Sequence, residues 1–176
     1  MTRSATAATR RSFHALTAGA APAALIAAAP ARAQEGGGFA YEVVRTEREW
    51  RGMLDETAYG VLREGGTERP GSSPHVTEER EGLYHCRGCE LPVYESAYKV
   101  VLANYVFFYN AVPDAMLMGI DTVNPYGAGE SAAPEDHLIE VHCRRCGSHH
   151  GHVLKVLDKA LHCINGAALD FRPAEA

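Results

Sequence analysis

Leu138–Val156 reads LIEVHCRRCGSHHGHVLKV: an apolar, β-branched run as far as His142, the pair Cys143-Arg144-Arg145-Cys146, a glycine, and a second strand-like run from His152. Strand, tight two-thiol turn, strand is the pattern of a small antiparallel β-structure. The same turn occurs earlier as Cys86-Arg87-Gly88-Cys89, again at the end of a strand-like run, Leu83-Tyr84-His85-Cys86, and 53 residues separate the two pairs. Each pair presents two thiolates from one turn, and two turns brought together make the tetrahedral sulfur shell that zinc prefers. Such a closed shell has no open coordination position, so one zinc per chain would hold the fold and would not activate water. Disulfides are the rival reading if the protein is exported to an oxidising compartment. A mixed site of Cys143, Cys146, His149 and His152 is a third, and it leaves Cys86 and Cys89 unexplained.

Further runs of the same kind lie on either side: Tyr105–Tyr109, Leu161–Ile164 and Ala167–Phe171. With those above they predict a mainly β fold, two small antiparallel sheets around a zinc-ribbon-like four-cysteine site. One or two short helices precede them. Thr46-Glu47-Arg48-Glu49 fits a capping box followed by Trp50, Met53 and Leu54 at helical spacing. Asp55 can cap a second segment carrying Tyr59, Val61 and Leu62, which Gly65 and Gly66 terminate. Residues 67–80, with Pro70, Gly71 and Pro74, read as loop, and Asn124–Pro134 as an exposed Gly- and Pro-rich excursion.

The chain has 176 residues, 46% of them apolar, enough for one ordinary core. Its first 33 residues carry no acidic side chain; Thr9-Arg10-Arg11-Ser12-Phe13 precedes an Ala-rich apolar run and Ala31-Arg32-Ala33. This is the layout of a twin-arginine export signal with a small-x-small cleavage site, and it predicts a periplasmic protein. The expected organisation is a cleavable leader over 1–33, a flexible linker over 34–40 and one domain over 41–173. Losing the leader's four arginines moves the formal charge from −5 to −9. An acidic mature protein disfavours nucleic acid and an anionic membrane as partners, since both reward basic patches.

Cys163 is the one cysteine outside the two pairs. A lone cysteine in a β-rich segment is commonly an apolar filler, and Leu161 and Ile164 fit that reading. Its histidine neighbours argue for reactivity. His162 adjoins it, and a hairpin pairing residues 152–156 with 160–164 would bring His149, His150 and His152 towards the sulfur, where imidazoles lower a thiol pKa or pass protons.

Taken together, Cys143–Leu154 (CRRCGSHHGHVL), Leu161–Phe171 (LHCINGAALDF), Thr67-Glu68-Arg69-Pro70 and Gly82–Cys89 resemble the signature segments of the peptide-methionine (R)-S-oxide reductases of the B type. The resemblance spans about Tyr41 to Pro173. It implies two antiparallel sheets, structural zinc on Cys86, Cys89, Cys143 and Cys146, and Cys163 as the nucleophile that takes oxygen from methionine-R-sulfoxide, free or in proteins. It also carries over His149, His152 and Asn165 as active-site residues. This sequence departs from the family at four places. Tyr105 stands where a tryptophan packs on the substrate methyl; Leu161-His162 replaces an Arg-Tyr pair, leaving His162 as the substitute for a lost cation near substrate; His150 replaces leucine. Ala103 occupies a common place for a resolving cysteine, so an external thiol, thioredoxin-like or other, is expected to reduce the sulfenic acid of a monomeric enzyme. A zinc-stabilised binding module without turnover, or a thiol redox sensor, would use the same scaffold.

Overall fold

The computed structural model describes residues 39–121, 123–124, 129–130 and 138–175. The expected leader and most of the linker, and most of the Asn124–Pro134 excursion, lie outside the described residues. Two short helices come first, each set by its own cap. Thr46 caps α1 (Glu47–Met53) in a complete capping box with Glu49; Asp55 accepts from Ala58 N–H to start α2 (Glu56–Glu64), and Gly65, at φ 70°, ends it.

The strands follow in the order β1 (Gly82–Cys86), β2 (Pro92–Glu95), β3 (Lys99–Leu102), β4 (Tyr105–Phe108), β5 (Met116–Asp121), β6 (Val123–Asn124), β7 (Gly129–Glu130), β8 (Leu138–Cys143), β9 (His149–Val156), β10 (Lys159–Ile164) and β11 (Leu169–Pro173). They form a three-stranded sheet β11-β1-β2, a six-stranded sheet β3-β4-β10-β9-β8-β5, and the small pair β6-β7, which overlaps the Asn124–Pro134 segment expected to be an exposed excursion. Every pairing is antiparallel. Three further strands, β2, β3 and β5, lie outside the strand-like runs of the sequence. They are four to six residues long, and Met116–Asp121 lacks the β-branched alternation that marks a strand.

The main core lies where the two larger sheets and α2 meet. Tyr94 stacks on Phe108 at 4.2 Å between ring centroids, Tyr84 meets the same ring edge-on at 5.2 Å, and Val61, Leu62, Val141 and Ile164 close around them. Among the described residues, no helix is long and apolar enough to cross a membrane.

His150 lies wholly inside this interior, and neither ring nitrogen has a hydrogen-bond partner among the described residues. Burial pushes its pKa from the ordinary 6.5 down to about 4, so it is neutral at pH 7. Because the folded pKa is depressed, the unfolded chain binds the extra proton first; stability is full above about 6.5 and is lost as pH falls towards 4. A leucine of similar size removes two unsatisfied polar atoms at about 1–3 kcal/mol each when buried. His150→Leu is therefore expected to raise the urea midpoint at pH 7 and to flatten the stability profile between pH 6.5 and 4. A lower midpoint would mean that the ring makes a contact on which the core depends.

Candidate active site and four-cysteine cluster

Two knuckles join the sheets. β1 ends at Cys86 and turns to Cys89; β8 ends at Cys143 and turns to Cys146, each turn closed by a backbone bond, Cys89 N–H to Cys86 C=O at 3.2 Å and Gly147 N–H to Cys143 C=O at 2.8 Å. All four sulfurs lie within 4.8 Å of one another and are buried. The closest pairs are Cys89–Cys143 at 3.5 Å and Cys86–Cys146 at 3.7 Å. A disulfide needs about 2.05 Å, so the disulfide reading fails. Four Zn–S bonds of about 2.3 Å in a tetrahedron space the sulfurs about 3.8 Å apart, and the observed shell fits that. The mixed site does not form, because His149 and His152 are engaged elsewhere.

Their partners belong to a row that crosses the six-stranded sheet. Register places Val100, Phe107, Cys163, His152, Glu140 and Gly119 opposite one another on β3, β4, β10, β9, β8 and β5. Directly paired residues of antiparallel strands project to the same face, so Cys163 stands between two different environments. On one side Phe107, Leu161, Val100, Tyr105, Leu154 and Val156 make an apolar cluster. On the other, His149 Nδ1 lies 2.8 Å from Glu140 Oε1, His142 Nδ1 lies 3.4 Å from Glu140 Oε2, and His152 Nε2 lies 2.9 Å from Asp121 Oδ2. The two rings His149 and His152 meet edge to face at 5.1 Å. Cys163 itself is 4% exposed.

Electrostatics separate the roles. The imidazoles of His142 and His149 beside it, the second hydrogen-bonded to it, hold the Glu140 carboxyl well below the usual carboxylate range. Burial lowers the His152 pKa, with the Asp121 hydrogen bond opposing it. His149 Nε2 is buried and has no protein partner among the described residues, while its Nδ1 is taken by Glu140. Gly151, at φ 156°, makes this packing possible, since a Cβ there would sit 2.0 Å from the carbonyl oxygen of Cys163.

Not every expected residue joins the group. His162 is next to Cys163 in sequence and so projects to the opposite face, where its Nδ1 lies 3.0 Å from the Tyr94 hydroxyl in the core. Burial lowers its pKa, so it supplies no cation to the thiol. Asn165 turns its side chain to the backbone, Oδ1 accepting from Glu68 N–H at 2.9 Å and Nδ2 donating to His150 C=O at 3.0 Å. Tyr105 borders the apolar cluster, but Phe107 is the residue directly across from Cys163. The sequence does not single out Glu140, Asp121 or Phe107 as neighbours of Cys163. The alternation Glu140-Val141-His142 was the one available hint, since a carboxylate and an imidazole two apart on a strand share a face.

A protein-family model described as the SelR domain matches residues 54–173. Peptide methionine sulfoxide reductase B3 of Arabidopsis thaliana is 33% identical over 138 residues, covering 75% of this chain and 72% of that protein. Peptide methionine sulfoxide reductase MsrB of Chromohalobacter salexigens is 33% identical over 147 residues, covering 76% of this chain and 98% of that protein.

Proposed function

From the chain's membership of the SelR-domain family of B-type peptide methionine sulfoxide reductases, we propose that it reduces methionine-R-sulfoxide, in proteins or free, with Cys163 as nucleophile. The family's reaction makes the chain an oxidoreductase that acts on methionine sulfoxide with a thiol reductant. The observation that carries the finer reading is the row across the sheet. It sets the thiol between an apolar cluster fit for a methyl-thioether and a bank of carboxylate-held imidazoles fit to handle protons.

With its Nδ1–H given to Glu140, His149 keeps Nε2 available to take the Cys163 thiol proton and pass it to the sulfoxide oxygen. The thiolate attacks the sulfoxide sulfur, which weakens the S–O bond as the oxygen is protonated. The hydroxyl passes to the Cys163 sulfur and the S–S link breaks, so methionine leaves and Cys163 is oxidised to a sulfenic acid. Two equivalents of an external thiol then restore the cysteine, releasing water and a disulfide. An external donor suits this chain, since the four cysteines other than Cys163 form the cluster placed to hold a metal.

In this reading the cluster holds one zinc, which supports the two sheets and takes no part in the reaction. The leader over 1–33 exports the protein, and the mature chain works in the periplasm as a monomer without nucleic-acid or membrane partners. Folded export by a twin-arginine route lets the metal load before an oxidising compartment is met.

The test offers purified mature protein, with metal content verified, separate R and S epimers of an acyl-blocked methionine sulfoxide and excess dithiothreitol. Many turnovers on the R epimer alone, absent in Cys163→Ser, are expected. A folded, metal-loaded protein that turns over neither epimer is instead a binding module or thiol sensor on this scaffold.

A further inference from the structure

The Thr67-Glu68-Arg69-Pro70 run has no place in that mechanism, yet Glu68 is 6% exposed and is the only carboxylate among the buried side chains of the described residues. A carboxylate is not buried without compensation. Among the described residues, its hydrogen-bond donors are backbone N–H groups of the turn that follows β10. Gly166 N–H donates to Glu68 Oε1 at 2.8 Å and Ala167 N–H to Oε2 at 2.9 Å, while the Glu68 N–H donates to Asn165 Oδ1 at 2.9 Å. Asn165 in turn donates to His150 C=O on β9 from both its backbone N–H, at 2.9 Å, and its Nδ2, at 3.0 Å. Residues 165–167 are thus tied on one side to the strand that carries His149 and His152 and on the other to a loop nearly a hundred residues away in sequence.

The fit leaves no slack. A Cβ on Gly166 would lie 1.9 Å from Ser73 Oγ and 3.4 Å from Glu68 Oε1, so the loop and the turn are in van der Waals contact along the same line as the hydrogen bonds. Cys163 is two residues before Asn165. Whatever fixes the turn fixes the height of the Cys163 sulfur in the row between Phe107 and His152.

We propose that Glu68 is a positioning residue of the reductase: through the 165–167 turn, its buried carboxylate holds Cys163 in register with the imidazole bank. This rests on Cys163 being the nucleophile. Two charge-assisted hydrogen bonds from backbone N–H groups are stronger than neutral ones and directional. A displacement of about 1 Å at a reacting atom costs about a hundredfold in rate, so the loss of this clamp reaches the chemistry without the side chain touching substrate.

The experiment compares wild type with Glu68→Gln and Glu68→Asp for kcat, KM, metal content and the rate of Cys163 alkylation by iodoacetamide at urea concentrations below unfolding. The amide of glutamine keeps the shape but presents one acceptor oxygen and one donor to two N–H groups. Expected for Glu68→Gln are a kcat lower by about ten- to a hundredfold, a KM within about twofold, alkylation several-fold faster and independent of urea, and unchanged metal content. Aspartate retains the charge and recovers part of kcat. Wild-type kcat and alkylation in Glu68→Gln overturn the proposal, as does a rate loss that only tracks the fraction folded. If glutamine prevents folding, Glu68→Asp carries the same comparison. If wild type itself shows no turnover, the reductase reading fails, and the alkylation arm alone decides whether Glu68 fixes Cys163.

Discussion

Stripping the metal from the four-cysteine cluster is expected to unfold the β-structure and not merely to loosen two turns. One knuckle closes β1, in the three-stranded sheet, and the other closes β8, in the six-stranded sheet, so a single ion held there would tie both layers together. Apparent binding energies of structural zinc at such sites are about 10–16 kcal/mol. That matches or exceeds the whole stability of an ordinary domain, about 5–15 kcal/mol. Without the ion, four sulfurs within 4.8 Å of one another must share protons in a buried space or move apart. Loss of the near-ultraviolet circular dichroism of Tyr84, Tyr94 and Trp50 on chelation, and its return with zinc, would be the signature. Cys89→Ser should be recovered poorly and without metal, while Cys163→Ser keeps wild-type metal content and melting behaviour. A chelated protein that holds its tertiary spectrum would show that thiol packing alone suffices.

The second large effect concerns His149. Its replacement by asparagine is expected to lower kcat by about 10²- to 10⁴-fold, the usual worth of a positioned proton donor. Glu140→Gln keeps a hydrogen-bond acceptor but loses the charge that holds the Nδ1–H of His149, so it should cost less and shift the pH dependence of kcat. Glu140 also leaves a mark on stability. Its folded pKa is depressed from 4.5 by the adjoining imidazoles of His142 and His149, so its contribution is full above about 4.5 and disappears as pH falls below that value. Glu140→Gln should flatten that acid limb. His152 plays a different part: its Nε2 is held by Asp121 and burial favours its neutral form, so His152→Asn should cost less in kcat than His149→Asn. Equal losses for the two histidines would return the assignment of the proton donor to the pair as a whole.

The departures from the family pattern take on physical meaning in the fold. Leu161, in place of an arginine, joins the apolar cluster beside Cys163, which makes that side of the thiol uniformly hydrophobic. His162 replaces a tyrosine on the face that points into the core, and its Nδ1 pairs with Tyr94. His150, in place of leucine, carries two unsatisfied nitrogens into the interior, and nothing in the structure explains what offsets their cost.

Several features were determined by the sequence alone because their causes are local. Thr46 and Glu49 are three residues apart, as are Asp55 and Ala58, so the caps that start both helices need nothing beyond their own turn. The same holds for the two knuckles, where spacing inside each CxxC pair presents the sulfurs together, and for the hairpin that brings residue 152 opposite Cys163. Which face a side chain takes is another matter. It alternates along a strand and is chosen by register with partners far away in sequence, so neighbours such as Cys163 and His162 end up on opposite sides of one sheet. Phe107, Glu140 and Asp121 reached the site through such pairings, and Glu68 reached the turn after Cys163 across about a hundred residues of chain. Only the tertiary structure could decide these, because the free energy that selects them comes from closing a shared core and not from any one segment.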